Sequence, residues 1–186
     1  MVRGALVILA VGSPANTAPA EEGERYQRSV QSYQVPDVTL IDQNGARQRL
    51  PEFLRLDKPV VLDFFFASCT TVCPVLSASF VSLQRSLGDD TTQARLVSIA
   101  IDPEHDTPEV LREYRARFGA RDGWDLLTGT KEDVDRVLKA FGAYVPNKMG
   151  HRPVNLLRAP GTEEWVRIDG LVGASDLTRE YRKLLK

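Results

Sequence analysis

Residues 60–66 read VVLDFFF, a nearly unbroken run of β-branched and aromatic side chains, which predicts a central strand buried on both faces. After Cys69-Thr70-Thr71-Val72-Cys73-Pro74 the apolar period changes to Leu76, Phe80, Leu83 and Leu87, the stripe of an amphipathic helix that Gly88 closes. Both cysteines of the chain therefore fall at a strand-turn-helix junction. Downstream, residues 94–101 (ARLVSIAI) predict a second buried strand. Asp106 is expected to cap the next helix, with Glu109 completing a capping box and Pro108 in the first turn; Val110 or Leu111, Tyr114 and Phe118 face inward, and Gly119 ends it. A short strand over 124–128 and a helix over 131–141, with Val134, Val137, Leu138 and Phe141 inward, precede an irregular segment, 142–152. An antiparallel pair over 153–157 and 164–168 and a closing helix over 175–185 complete the pattern. Near the start, residues 35–41 and 47–50 flank an Asn44-Gly45 turn and predict a β-hairpin that caps the main fold. The order implies one α/β domain over residues 35–186, with a mixed sheet and helices on both faces.

The polar stretch 21–34 reads as a linker or loosely held arm. Before it, Arg3, the apolar residues 4–11 and Ala18-Pro19-Ala20 resemble a secretory signal peptide over residues 1–20. That run is too short for a membrane anchor, and no cysteine follows it for lipidation. The expectation is an exported, periplasmic-type protein with no transmembrane span in its mature domain, which implies an oxidising compartment. The 24 basic and 25 acidic side chains leave a formal charge of −1 and are interspersed, which argues against nucleic acid as a partner. Nothing in the pattern demands a partner subunit, so a monomer is expected.

The chemistry is concentrated in the two cysteines. A helix N-terminus offers unpaired N–H groups and partial positive charge, and both stabilise a thiolate. Four residues apart across a first turn, Cys69 and Cys73 are within reach of a disulfide, and equally of one shared soft metal ion. A three-residue loop constrains an unfolded chain little, so a purely structural staple is a poor explanation for the pair. Asp63, six residues before Cys69 inside the apolar strand, is either a carboxylate with a burial-raised pKa that serves the thiols or one satisfied by a local hydroxyl or backbone partner. The second of these is the simpler reading.

A strand feeding a cysteine pair at a helix start, followed by further βα units, a hairpin and a helix, resembles the thioredoxin fold; the three residues between the cysteines depart from thioredoxin, which has two. YQVPDVTLIDQNG, DFFFASCTTVCPVLSASF, VSIAIDPEHDTPEVLREYRARFG and the later His151 are similar to the SCO/SenC family of copper-binding, thioredoxin-like proteins, in the family's order. The resemblance covers residues 33–185. It implies one copper ion, Cu(I) or Cu(II), held by Cys69, Cys73 and His151 and passed to the dinuclear copper centre of cytochrome c oxidase. The donor chemistry agrees, although zinc also accepts two sulfurs and a nitrogen. GHRPVNLL departs from the family's form, in which an aspartate precedes the histidine. The alternative function is thiol-disulfide reduction of a partner such as the copper-receiving oxidase subunit, with Cys69 and Cys73 as the redox pair and Asp63 as proton carrier. Peroxidase chemistry is disfavoured because FFASC lacks the proline and threonine that peroxiredoxins place before their cysteine. His105 is expected to be a solvated loop histidine and Met149 a loop-packing residue, while Pro153 stands where thioredoxin folds carry a cis-proline.

Overall fold

The computed structural model describes residues 26–55, 57–88 and 93–186. In chain order these form β1 (Tyr26–Ser32), β2 (Thr39–Asp42), β3 (Arg47–Arg49), the one-turn α1 (Leu50–Phe53), β4 (Val60–Phe65), α2 (Cys73–Ser86), β5 (Arg95–Ala100), α3 (Pro108–Arg117), β6 (Trp124–Thr128), α4 (Lys131–Ala140), β7 (Val154–Arg158), β8 (Glu164–Gly170) and α5 (Ala174–Leu184). The strands make one mixed sheet in the order β1-β8-β7-β4-β5-β6-β2-β3. β4 lies parallel to β5 and antiparallel to β7, so the C-terminal ends of β4 and β5 share an edge with the start of β7. That edge carries the cysteines.

Alternation along β4 divides the core. Val61 and Phe65 face Leu76, Phe80, Tyr114 and Leu177, on the side of α2, α3 and α5. Val60, Leu62 and Phe64 face Val134, Val137, Leu138 and Phe141, on the side of α4. Burial on both faces explains why the strand reads as continuous rather than alternating. Asp63 has the parity of Val61 and Phe65 and therefore points into the α2 layer, where its two neighbours are apolar.

Four expectations require correction. Residues 26–32 are not a free arm: β1 pairs with β8 from Tyr26↔Gly170 to Ser32↔Glu164. Six of its seven side chains are exposed or half-buried, so hydrophobic patterning could not announce it; backbone pairing and the Tyr26 hydroxyl, which donates to Glu180 at 3.1 Å, hold it. The hairpin of β2 and β3 does not cap the fold but extends its sheet, because β2 pairs with β6. The cap of α3 is Thr107, whose hydroxyl accepts from the Val110 N–H; Asp106 is drawn away into the cysteine turn. All peptide bonds among the described residues are trans, Pro153 included, the ordinary state for an X-Pro bond. The signal-peptide segment lies outside the described residues. Among the described residues no helix is long and apolar enough to cross a membrane.

Candidate functional site

β4 delivers the chain to a turn in which the Cys69 N–H donates to the Phe66 carbonyl at 3.1 Å. Four residues later α2 begins at Cys73 itself, with Pro74 in its first turn where the missing N–H costs nothing. The Cys73 N–H, unpaired within its own helix, donates to Cys69 Sγ at 3.4 Å. Thr71 Oγ1 stands 3.8 Å from the same sulfur. Both cysteines are free thiols and buried.

Their environments push the two thiols apart. Burial raises the Cys69 pKa, but the Cys73 thiol and N–H and the Thr71 hydroxyl and N–H outweigh it and hold Cys69 below the usual thiol range. Burial raises Cys73 instead, and its role as donor to Cys69 raises it further. The pair therefore consists of Cys69, the thiol that ionises more readily, and a proton-retaining partner, Cys73.

Asp63 lies in the layer beneath. Burial pushes its carboxyl up to about 7, partly opposed by a hydrogen bond with Ser98. The raised pKa and the local hydroxyl partner therefore occur together: one oxygen has Ser98, while Oδ1 is buried with no partner among the described residues. Sequence reasoning missed the rest of this polar row. Ser98 stands beside Asp63 in the β4–β5 register and Asn155 beside it in the β4–β7 register. The Trp124 indole donates to Ser98 Oγ at 2.9 Å, whereas both side-chain polar atoms of the fully buried Asn155 are without a partner among the described residues. A single Asn at the head of an apolar strand carries no pattern; only the register puts it next to Asp63.

His151 reaches the same edge because β7 runs antiparallel to β4, so the residues just before Val154 lie beside the end of β4. Its Nε2 is 3.1 Å from the Phe64 carbonyl, which requires the Nε2–H tautomer and leaves the lone pair on Nδ1. Burial lowers its pKa and keeps the ring neutral, as a metal ligand must be. The ligand atoms of Cys69, Cys73 and His151 are not drawn within 4.8 Å of one another; among the described residues the group that meets this is Asp102, Glu104 and His105. In that group Asp102 is already engaged by Lys148 and by His105 Nδ1 at 3.0 Å, and His105 is largely exposed, the solvated loop residue expected of it. Met149 is 75 % exposed rather than packed into the loop as expected, and its N–H donates to the Asn147 side chain that caps the turn at Lys148–Gly150.

Two contacts tie the surrounding loops to the cysteine turn. Asp106, 2 % exposed, accepts the Ala67 N–H. Lys148, three residues before His151, joins Asp102 at the end of β5 and lies over the Phe66 ring at 5.5 Å. Three segments distant in sequence converge on one edge.

Residues 27–156 match the family described as SCO1/SenC. The chain is 32 % identical over 126 residues to the SCO1 protein homolog of Bacillus subtilis, a match covering 66 % of this chain. It spans less than two thirds of the length of the curated relatives it matches, 64 % in that case. The fold superposes with a TM-score of 0.68 and 26 % identity on BsSco, described as a member of the Sco family of cytochrome c oxidase assembly proteins with a disulfide switch; the match covers 84 % of this chain and 95 % of that one. Arabidopsis thaliana ScoI, solved with copper bound, shares the fold at a TM-score of 0.65 and 24 % identity, over 78 % of this chain and 93 % of its own.

Proposed function

The chain belongs to the SCO1/SenC family, and from that footing we propose that it is an exported copper chaperone. It holds one copper ion as cargo through Cys69, Cys73 and His151 and delivers it to the dinuclear copper centre of cytochrome c oxidase. The observation that carries this reading is the Cys73 N–H at 3.4 Å from Cys69 Sγ, which, with Thr71, favours on one sulfur the thiolate form that a soft cation needs. Copper bound to relatives such as the Arabidopsis thaliana protein supports it.

The donors suit such a cargo. Two sulfurs favour Cu(I), and a neutral imidazole with its Nδ1 lone pair available adds a donor that also suits Cu(II). Copper would also displace the proton that Cys73 otherwise retains. Three donors leave the ion under-coordinated, so that an acceptor thiolate can enter before a donor leaves. Export rests on the N-terminal pattern of the sequence.

A second reading, thiol-disulfide reduction of the recipient, is favoured by Asp63. In it the Cys69 thiolate attacks a partner disulfide and releases one partner thiolate. Cys73, its proton taken toward Asp63, then attacks Cys69 Sγ, forming the Cys69–Cys73 disulfide and freeing the second partner thiol. An external dithiol would restore the pair. The two activities are compatible, since recipient ligands must be reduced before loading.

Titration of the reduced, metal-free protein with Cu(I) and Cu(II), with metal quantified after desalting, tests the first reading. One retained copper per chain and a thiolate-to-copper charge-transfer band are expected. No retained copper, together with a strongly reducing cysteine potential, would leave the reductase reading alone.

A further inference from the structure

The end of the sheet opposite the cysteine turn holds a cavity of about 550 Å³. Tyr33, Leu54, Arg55, Arg158, Glu163 and Trp165 are among its walls. Arg158 ends β7, paired with Val60 at the start of β4 and with Trp165 on β8, which sets it at the far end of the sheet from Cys69.

Arg158 is only 4 % exposed, and its guanidinium lies 4.6 Å over the Trp165 ring. Nη2 donates to the Leu54 and Arg55 carbonyls, capping the end of α1. The remaining donors are unspent: Nε is sealed from solvent without a partner, and Nη1 makes no hydrogen bond among the described residues. Among the described residues no carboxylate comes within ion-pair distance; Glu163, on the exposed rim, acts on the guanidinium only through its field. A buried guanidinium without a counter-ion is costly, and capping α1 would be served without placing that charge against an open cavity. An anion arriving from the cavity would complete Nη1, the unspent donor that is not sealed.

We propose that this cavity binds a small organic monocarboxylate with a flat apolar body, its carboxylate on Arg158 and its body along Tyr33, Val35 and Pro51. The volume falls in the usual range for small-molecule sites, roughly 300–1,000 Å³, and the walls combine aromatic and aliphatic side chains with one anchoring charge. A planar guanidinium suits a carboxylate better than an ammonium does. Exposed Arg55 attracts an anion, whereas Glu163 opposes a second negative charge, so the site selects a monoanion.

The test is a nitrogen-proton NMR titration of the full protein with 2-naphthoate, against the neutral isostere 2-naphthamide. Saturable shifts are expected at the Trp165 indole and along residues 33–35 and 51–55, with the amide weaker by about tenfold or more. Glu163→Gln should tighten naphthoate binding about two- to fivefold. Arg158→Gln should abolish it, and should that variant not fold, the amide comparison and Glu163→Gln carry the test. Absence of saturation up to about 10 mM, equal binding of the amide, or shifts confined to the cysteine turn would overturn the proposal. None of these outcomes depends on copper.

Discussion

Asp106 accepts the backbone N–H of Ala67 with both carboxylate oxygens, at 3.2 and 3.3 Å, and so joins the loop after β5 to the turn that leads into Cys69. Because the carboxylate is buried, deleting it strands a buried N–H in the segment that sets the cysteine geometry. Asp106→Ala should cost about 1–3 kcal/mol by denaturant unfolding and speed hydrogen exchange at Ala67. Asp106→Asn, which keeps an acceptor, should cost less. Unchanged Ala67 exchange in the alanine variant would show that the contact does not hold the turn.

The split between the two thiols is testable by alkylation. At neutral pH a limiting dose of iodoacetamide should modify Cys69 about tenfold or more faster than Cys73, read by peptide mass spectrometry. Equal rates would contradict the assignment of Cys69 as the thiolate.

Asp63 predicts an unusual pH dependence. Its folded pKa is about 7 against 3.8 for an unperturbed group, so the folded state holds the proton more tightly than the unfolded state. Stability from this group is fully present below pH 3.8, falls as pH rises toward 7 and is lost above it, a span of about 4 kcal/mol. Asp63→Asn removes the ionisation, so the variant should gain on the wild type between pH 5 and pH 8 in urea unfolding. Parallel stability profiles for the two proteins would sink this account.

The proposed ligand roles should separate by oxidation state. Cys69→Ala or Cys73→Ala should abolish tight copper binding, whereas His105→Ala should leave it near normal. His151→Ala should weaken Cu(II) about tenfold more than Cu(I), because two thiolates still satisfy the softer ion. An unchanged Cu(II) spectrum in the His151 variant would remove that residue from the site.

Anchoring of the edge strand is a stability question. Glu180, 3 % exposed, accepts from Tyr26 and pairs with Arg28 and Lys183. Glu180→Ala should cost about 1–3 kcal/mol and release β1, seen as faster hydrogen exchange along Tyr26–Ser32. Unaltered exchange there would mean that backbone pairing alone holds the strand.

Legibility along the chain followed apolar content. β4, α2, β5, β6 and α4 were readable to within a residue or two, since each is strongly apolar or periodic and bounded by a Gly or Pro signal. β1 was not, because an edge strand with polar side chains on both faces shows no period to read. Asp106 looked like a helix cap because its type and place fit one, yet the local rule lost to a backbone N–H 39 residues away. The cysteines were visible as a site because a helix start follows a buried strand; the split of their pKa values was not, since it depends on which sulfur receives the Cys73 N–H.

Sequence alone thus determined the α/β order, the central strand, the pair of thiols at its end and the carboxylate within it, all of which arise from local periodicity and side-chain chemistry. Tertiary structure decided the rest: that β7 runs antiparallel to β4 and so brings His151 to Phe64, that Asn155 and Ser98 flank Asp63, and that Arg158 ends buried at the opposite edge. These are consequences of strand order and register, which are set by the global packing of two apolar layers and leave no trace in any short stretch of the chain.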